Sequence, residues 1–167
     1  MEKATRSAAA WLSVGLALLA LDQLSKLLAR TLLVHGRTTP LLPPVLDLTL
    51  VHNRGVALGA LADLPARLRE PLLLVLPLLI TGAVLWAAWR GWRHATALAR
   101  ASWVLIIAGA LGNVVDRIAL GPVTDIMRFS ADGHVLFINN LADDYVCVGV
   151  VLLLMALPRA RTSSVTA

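Results

Sequence analysis

The sequence predicts a mainly α-helical integral membrane protein in which four transmembrane helices carry a small extracytoplasmic β platform. Three observations predict it. Of 167 residues, 58% are hydrophobic and only 15% are charged, with a mean hydropathy of +0.77, more apolar than a soluble domain needs. Four stretches, residues 7–21, 71–89, 101–115 and 145–158, contain no Asp, Glu, Lys or Arg. The longer segments after the first and third stretches carry prolines, turn dipeptides and alternating apolar positions, the signature of short strands.

Crossing a hydrocarbon core takes roughly 20 helical residues. The first stretch is too short, so a helix over about 8–29 must run on through Asp22 and Lys26, and its apolar phase resumes at Leu24, Leu27 and Leu28. Lys3 and Arg6 before an apolar run imitate a signal peptide. Removing the segment would leave three spans with termini on opposite sides, so retention is expected. An outer loop over about 30–70 follows, with Pro40, Pro43 and Pro44 before a strand through Leu46, Leu48 and Leu50. A turn at residues 53–55, a second short strand holding Val56 and Leu58, and a surface helix over 64–70 complete it. The second span, about 71–90, is long enough without charged neighbours. The third, about 101–118, takes Asp116 and Arg117 into its end. A second outer loop, about 119–142, has Gly121, Pro122 and an Asp132-Gly133 turn and adds strands to the platform. The fourth span, about 143–158, opens at Asp143 and Asp144. Residues 1–167 read as one membrane domain, with no repeat or low-complexity tract.

Charge sets the orientation. Lys3, Arg6, Arg90, Arg93, Arg100, Arg159 and Arg161 crowd the short flanks of one side with Glu2 as their only acid, while the other side is about neutral. Dense basic residues in short flanks belong to the cytoplasm, so both termini are expected inside. A formal charge of +5 would suggest nucleic acid in a soluble protein; here topology absorbs it, and no nucleic-acid partner is expected. Cys147 stands alone, which excludes an intramolecular disulfide and a cysteine metal cluster.

With this topology the third helix ends, and the fourth begins, at the outer face, so Asp116 and Asp143 arrive at one membrane depth. Asp22 and Lys26 reach the same level. Asn113, Asp116 and Arg117 share one helix face, and Ala108 and Gly112 have the small-xxx-small spacing that admits a neighbouring helix. A plainer reading makes Asp116-Arg117 an interfacial anchor, and makes Asn139, Asn140, Asp143 and Asp144 an N-terminal cap for the fourth helix. The common depth argues for more. Two carboxylates held close cannot both ionise easily, so one serves as base and the other as acid, the equipment for adding water to an amide carbonyl. Helical geometry alone does not choose between Asp143 and Asp144, which point about 100 degrees apart.

Other chemistries lack their residues. Ser163 and Ser164 lie in the tail, no Gly-x-Ser-x-Gly elbow occurs, and no phosphate-binding glycine loop is present. His35, His52, His94 and His134 are scattered without metal-ligand spacing, so neither metal nor cofactor is expected.

Five motifs in order resemble the lipoprotein signal peptidases (signal peptidase II), bacterial intramembrane aspartyl peptidases. Asp22-Gln23-Leu24-Ser25-Lys26 is similar to that family's D-Q-x-[ST]-K, and residues 53–59, from Asn53-Arg54-Gly55 onward, to N-x-G-x-A-F-[GS]. Gly112-Asn113-Val114-Val115-Asp116-Arg117 resembles G-N-x-x-D-R, Val123-Thr124-Asp125 resembles V-x-D, and Asn140-Leu141-Ala142-Asp143 resembles N-x-A-D. The resemblance implies that Asp116 and Asp143 are the catalytic pair, and that Asn53, Gly55, Asn113, Arg117 and Asn140 line or support the site. Because Ala142 directly precedes it, Asp143 is chosen over Asp144, which is expected to be solvated. Asp22 and Lys26 form at least a supporting i,i+4 pair. The implied partners are diacylglyceryl-modified prolipoprotein signal peptides and membrane lipids. A monomer is expected in the bacterial cytoplasmic membrane, with its site near the outer face. Leu58 replaces the usual Phe, Asn139 replaces the aromatic before N-x-A-D, and Ile126-Met127-Arg128 departs from the usual continuation.

Two other readings compete. One is a small proton-coupled transporter subunit using Asp116 and Asp143 as a relay, disfavoured because both acids lie at one end rather than near the midplane. The other is a noncatalytic homologue that binds lipidated signal peptides.

Overall fold

The computed structural model describes residues 2–54 and 64–157. Among these residues four helices and four strands follow one another. Helix α1 (Glu2–Leu32) leads into strands β1 (Thr38–Leu42) and β2 (Leu46–Asn53). Helices α2 (Ala66–Gly91) and α3 (Ala97–Ala119) come next, then β3 (Val123–Ala131), β4 (His134–Asn139) and α4 (Leu141–Ala156).

Among the described residues, three helices are long and apolar enough to cross a membrane: Ala8–Leu32, Ala66–Gly91 and Ala97–Ala119. The shortest of these, 23 residues, is about 35 Å long. Helix α4 has 16 residues, about 24 Å, and stops where Leu157 turns extended. The surface helix expected over 64–70 does not stand apart: α2 begins at Ala66 and runs through Pro71 and Pro77. Each proline forfeits a single backbone hydrogen bond, a loss that a 26-residue helix absorbs. Helix α3 starts four residues earlier than the charge pattern suggested, because the Thr96 hydroxyl caps it by accepting the Ala99 N–H at 3.2 Å. Gly55 and the short strand expected at Val56 and Leu58 lie outside the described residues.

The strands form one antiparallel sheet in the order β1-β2-β3-β4, so the segments following α1 and α3 both contribute. Asp132 (φ 49°) and Gly133 (φ 77°) turn β3 into β4 with consecutive left-handed residues, the two-residue hairpin geometry that matches strand twist. A register shift between Leu48 and Val51 inserts an extra residue into β2 opposite β3. Below the sheet, Leu50 and Ile126 meet Ala29 of α1 in a small apolar core flanked by Leu33 and Met127.

Helix α3 is the hub, packing against α1, α2 and α4. Small residues set the distances. A Cβ on Gly109 would strike the carbonyl oxygen of Ala142, and one on Gly149 would meet Ser102 O at 3.0 Å. Gly112 is occupied differently: a Cβ there would lie 2.5 Å from Asp22 Oδ2 and 3.1 Å from the Ala142 side chain. Ala108 lines the crevice between α1 and α2.

Candidate active site

The ends of α1, α3 and α4 nearest the sheet carry a knot of buried polar side chains. Asp22 and Lys26, one turn apart on α1, are both fully buried, and Asp116 on α3 is 1% exposed. A buried charge is tolerated only when its hydrogen-bonding capacity is used. Lys26 has three N–H donors and three partners: Asp22 Oδ2 at 2.9 Å, Asn113 Oδ1 at 3.1 Å and Asp116 Oδ2 at 3.4 Å. One ammonium thus joins α1 to two residues of α3.

Asp22 also reaches α4. Its Oδ1 accepts the Ala142 N–H at 3.0 Å, and its Oδ2 takes an amide hydrogen of Gln23, which donates as well to the Gly112 carbonyl, both at 3.0 Å. Free N–H groups of a helix's first turn favour an anion there. Asn140 caps the same end, its side-chain oxygen accepting the Asp143 N–H at 3.1 Å. Asp143 stands in the first turn of α4, and Asn113 Nδ2 donates to its Oδ1 at 2.7 Å. Asp116 and Asp143 are therefore linked by a continuous chain, Asp116–Lys26–Asn113–Asp143.

Each of the two aspartates keeps one oxygen less engaged. Asp116 Oδ2 accepts the Thr124 N–H at 2.8 Å as well as Lys26, while Oδ1 has Arg30 Nη1 only at 3.9 Å. Among the described residues no hydrogen bond reaches Asp143 Oδ2. Arg117 lies in the field of Asp143, Asp125 and Asp116, and its guanidinium also donates to the Asn113 carbonyl at 3.4 Å.

The sheet supplies a third aspartate. Asp125 on β3 is 2% exposed and accepts two amide donors, Asn53 Nδ2 at 2.9 Å and Asn140 Nδ2 at 2.7 Å. The extra residue in β2 brings Asn53 opposite Val123, on the diagonal from Asp125. Burial pushes the Asp125 carboxyl up to about 6 against both amides, with Asp143 adding to the rise and Lys26 opposing it.

Most residues marked in the sequence thus meet in one cluster: Asp22, Lys26, Asn53, Asn113, Asp116, Arg117, Asn140 and Asp143. Gly55 lies outside the described residues. Sequence reasoning quoted Gln23, Thr124 and Asp125 within motifs without giving them a place in the site, and left Arg30 unremarked. Arg30 Nη1 donates to Thr124 Oγ1 at 2.9 Å, and its position one turn beyond Lys26 on the buried face of α1 is the signal that could have found it. Asp144 is not solvated as expected: it is half-buried and accepts Asn139 Nδ2 at 2.6 Å. That bond gives a use to the Asn standing in the aromatic's position, whose Oδ1 is buried with no partner among the described residues.

Residues 14–159 match the family described as Signal peptidase (SPase) II. A lipoprotein signal peptidase of Clostridioides difficile is 38% identical over 136 residues, 81% of this chain and 86% of that protein. Those of Aquifex aeolicus and Syntrophotalea carbinolica are 36% and 34% identical, each over 87% of this chain and 83% and 88% of theirs. Among solved structures, two bacterial membrane enzymes determined by the in meso method share the fold, at TM-scores of 0.75 and 0.77. They are 24% and 23% identical, covering 89% and 91% of this chain and 87% and 94% of those.

Proposed function

The chain belongs to the signal peptidase II family, and from that premise we propose that Asp116 and Asp143 hydrolyse the peptide bond that joins a signal peptide to a diacylglyceryl-modified cysteine. It is a membrane protease that removes signal peptides from prolipoproteins, and its aspartic type follows the family. Membership replaces the transporter and noncatalytic readings weighed from the sequence.

The observation that carries the assignment is the bonded chain Asp116–Lys26–Asn113–Asp143, which holds two carboxylates in one network while each retains a less engaged oxygen. One aspartate takes a proton from a water molecule as its oxygen attacks the scissile carbonyl; the other, protonated, donates to the carbonyl oxygen. The tetrahedral diol then collapses. The base returns its proton to the departing amine, the diol hydroxyl re-protonates the acid, and the C–N bond breaks with no covalent enzyme intermediate. Lys26 and Asn113 orient the pair. Asp22, Asn140 and Asp125 fix the start of α4, and so Asp143, against α3; Asn53, Arg117 and Gly55 line or support the substrate side.

In this reading the protein is one membrane domain with four spans, α4 being the fourth. Residues 145–158 carry no charge, and Val148, Val150, Val151, Leu154 and Met155 are exposed on a helix packed along α3. Both termini are cytoplasmic by the density of basic flanks, which sets the aspartates at the outer face of the bacterial inner membrane. The sheet covers them there, and a monomer surrounded by lipid suffices.

The test incubates purified protein with a diacylglyceryl-modified prolipoprotein and follows signal-peptide release by mass spectrometry. Asp116→Asn and Asp143→Asn each lower turnover by about a thousandfold in protein that stays folded in detergent, while Asp144→Asn keeps most activity. Equal losses at Asp143 and Asp144 would remove the assignment.

A further inference from the structure

The four histidines are dispersed in the chain, yet two of them meet in the fold. His35 lies in the turn between α1 and β1, and His52 lies near the end of β2; their ring centroids are 5.2 Å apart at an interplanar angle of 41°. Both side chains are exposed.

We propose that His35 and His52 form a binding site for one imidazole-preferring divalent cation, with zinc as the representative ion and water completing its shell. The separation fits. A tetrahedral ion holding two imidazole nitrogens at about 2.0–2.1 Å sets the ring centroids about 3.2 Å from the metal and about 5.2 Å from each other. The tautomer fits too. His35 Nδ1 lies 3.0 Å from the carbonyl oxygen of Leu50, an acceptor only, so in a neutral ring the proton sits on Nδ1 and the Nε2 lone pair is left for a ligand. Metal-binding histidines are held in this way, their second nitrogen donating to a backbone carbonyl. The ring nitrogens of His52 have no hydrogen-bond partner among the described residues, so neither is already committed.

Leu50 belongs to the apolar core beneath the sheet, which makes the His35 anchor a rigid one. A bound ion would clamp the α1–β1 turn to β2 next to Asn53, whose amide holds Asp125. The existence of the site does not depend on the chemistry of the aspartates.

Purified protein without a polyhistidine tag, titrated with Zn2+ by calorimetry in detergent, tests the proposal. Wild type binds one ion. His35→Gln and His52→Gln each weaken binding by about tenfold or more, the double variant abolishes it, and His94→Gln and His134→Gln leave it unchanged. His52→Cys, which restores a zinc ligand, retains binding and excludes a folding defect as the cause of loss. Absence of binding in the wild type, equal affinity in the double variant, or loss in only one of the two single variants would overturn the site.

Discussion

The two ends of the α1–α3 pair are built on opposite rules. Away from the sheet, α1, α2 and α3 leave an apolar crevice of about 290 Å³ lined by Gly15, Leu19, Leu85, Trp92, Val104 and Leu111 among others. Near the helix ends beside it, Arg100 donates Nε and Nη2 to the Trp92 carbonyl at 3.2 and 2.9 Å and stacks 5.4 Å above that indole ring. Beneath the sheet the same helices bury Asp22, Lys26 and Asp116 with almost no exposed surface. Apolar contacts have no direction and lipid competes for them on equal terms, so gaps persist at the first end. At the second, each charge demands partners near 3 Å, and the helices close until those demands are met.

The contrast breaks most readily at the ammonium. Lys26→Met leaves Asp22 and Asp116 buried without their shared cation, and the expected loss is about 3–5 kcal/mol, read from unfolding in detergent. A comparable hydrophobic change in the crevice costs far less.

Acidity comes next. The folded value of Asp125 lies above its ordinary 3.8, at about 6, so the fold favours the protonated carboxyl. The stability this adds is fully present below about pH 3.8 and is lost as pH rises through about 6. Its full size is on the order of 3 kcal/mol. Thermal unfolding of Asp125→Asn followed from pH 4 to 7 should lack that decline; an unchanged slope would assign it to another group.

Backbone approach gives a smaller effect. Gly112→Ala forces a methyl group against Asp22 Oδ2 and Ala142 and should destabilise by about 1–3 kcal/mol. Gly82→Ala meets nothing within 4 Å and should be neutral or stabilise α2 by a few tenths of a kcal/mol. Equal responses at the two glycines, in the same melting assay, would erase the distinction between the closed and the open end.

Charge-free runs located the helices, because a hydrocarbon core excludes ions over a set length. They did not locate the ends: Thr96 and Asn140 do that by capping, and capping is a matter of one side chain and one N–H. The polar residues interrupting the runs, from Asp22 to Asp143, were legible because ionisable groups are rare in a span. Asp125 was not, since an aspartate in an outer loop looks solvated until the register of β2 on β3 brings Asn53 to it. Thr124 was harder still, for it serves Asp116 through its backbone N–H, which every residue but proline owns. Asp144 misled because helical phase says where a side chain points and nothing about Asn139 waiting there. His35 and His52 are separated by a strand and a turn, and no spacing rule spans that distance.

Among the described residues α3 touches each of the other three helices, whereas α1 and α2 barely touch one another. In a chain inserted from its N-terminus, α1 would therefore wait in the bilayer without its proper neighbour, holding Asp22 against Lys26 one turn away as a temporary neutral pair. The arrival of α3 would bring that pair Asp116 and Asn113, and the arrival of α4 would give Asp22 the Ala142 N–H. Under the proposed assignment of Asp116 and Asp143, assembly of the bundle and completion of the dyad are then a single event: the two carboxylates come together only when α4 has docked, so an unfinished molecule has nothing with which to cut its neighbours.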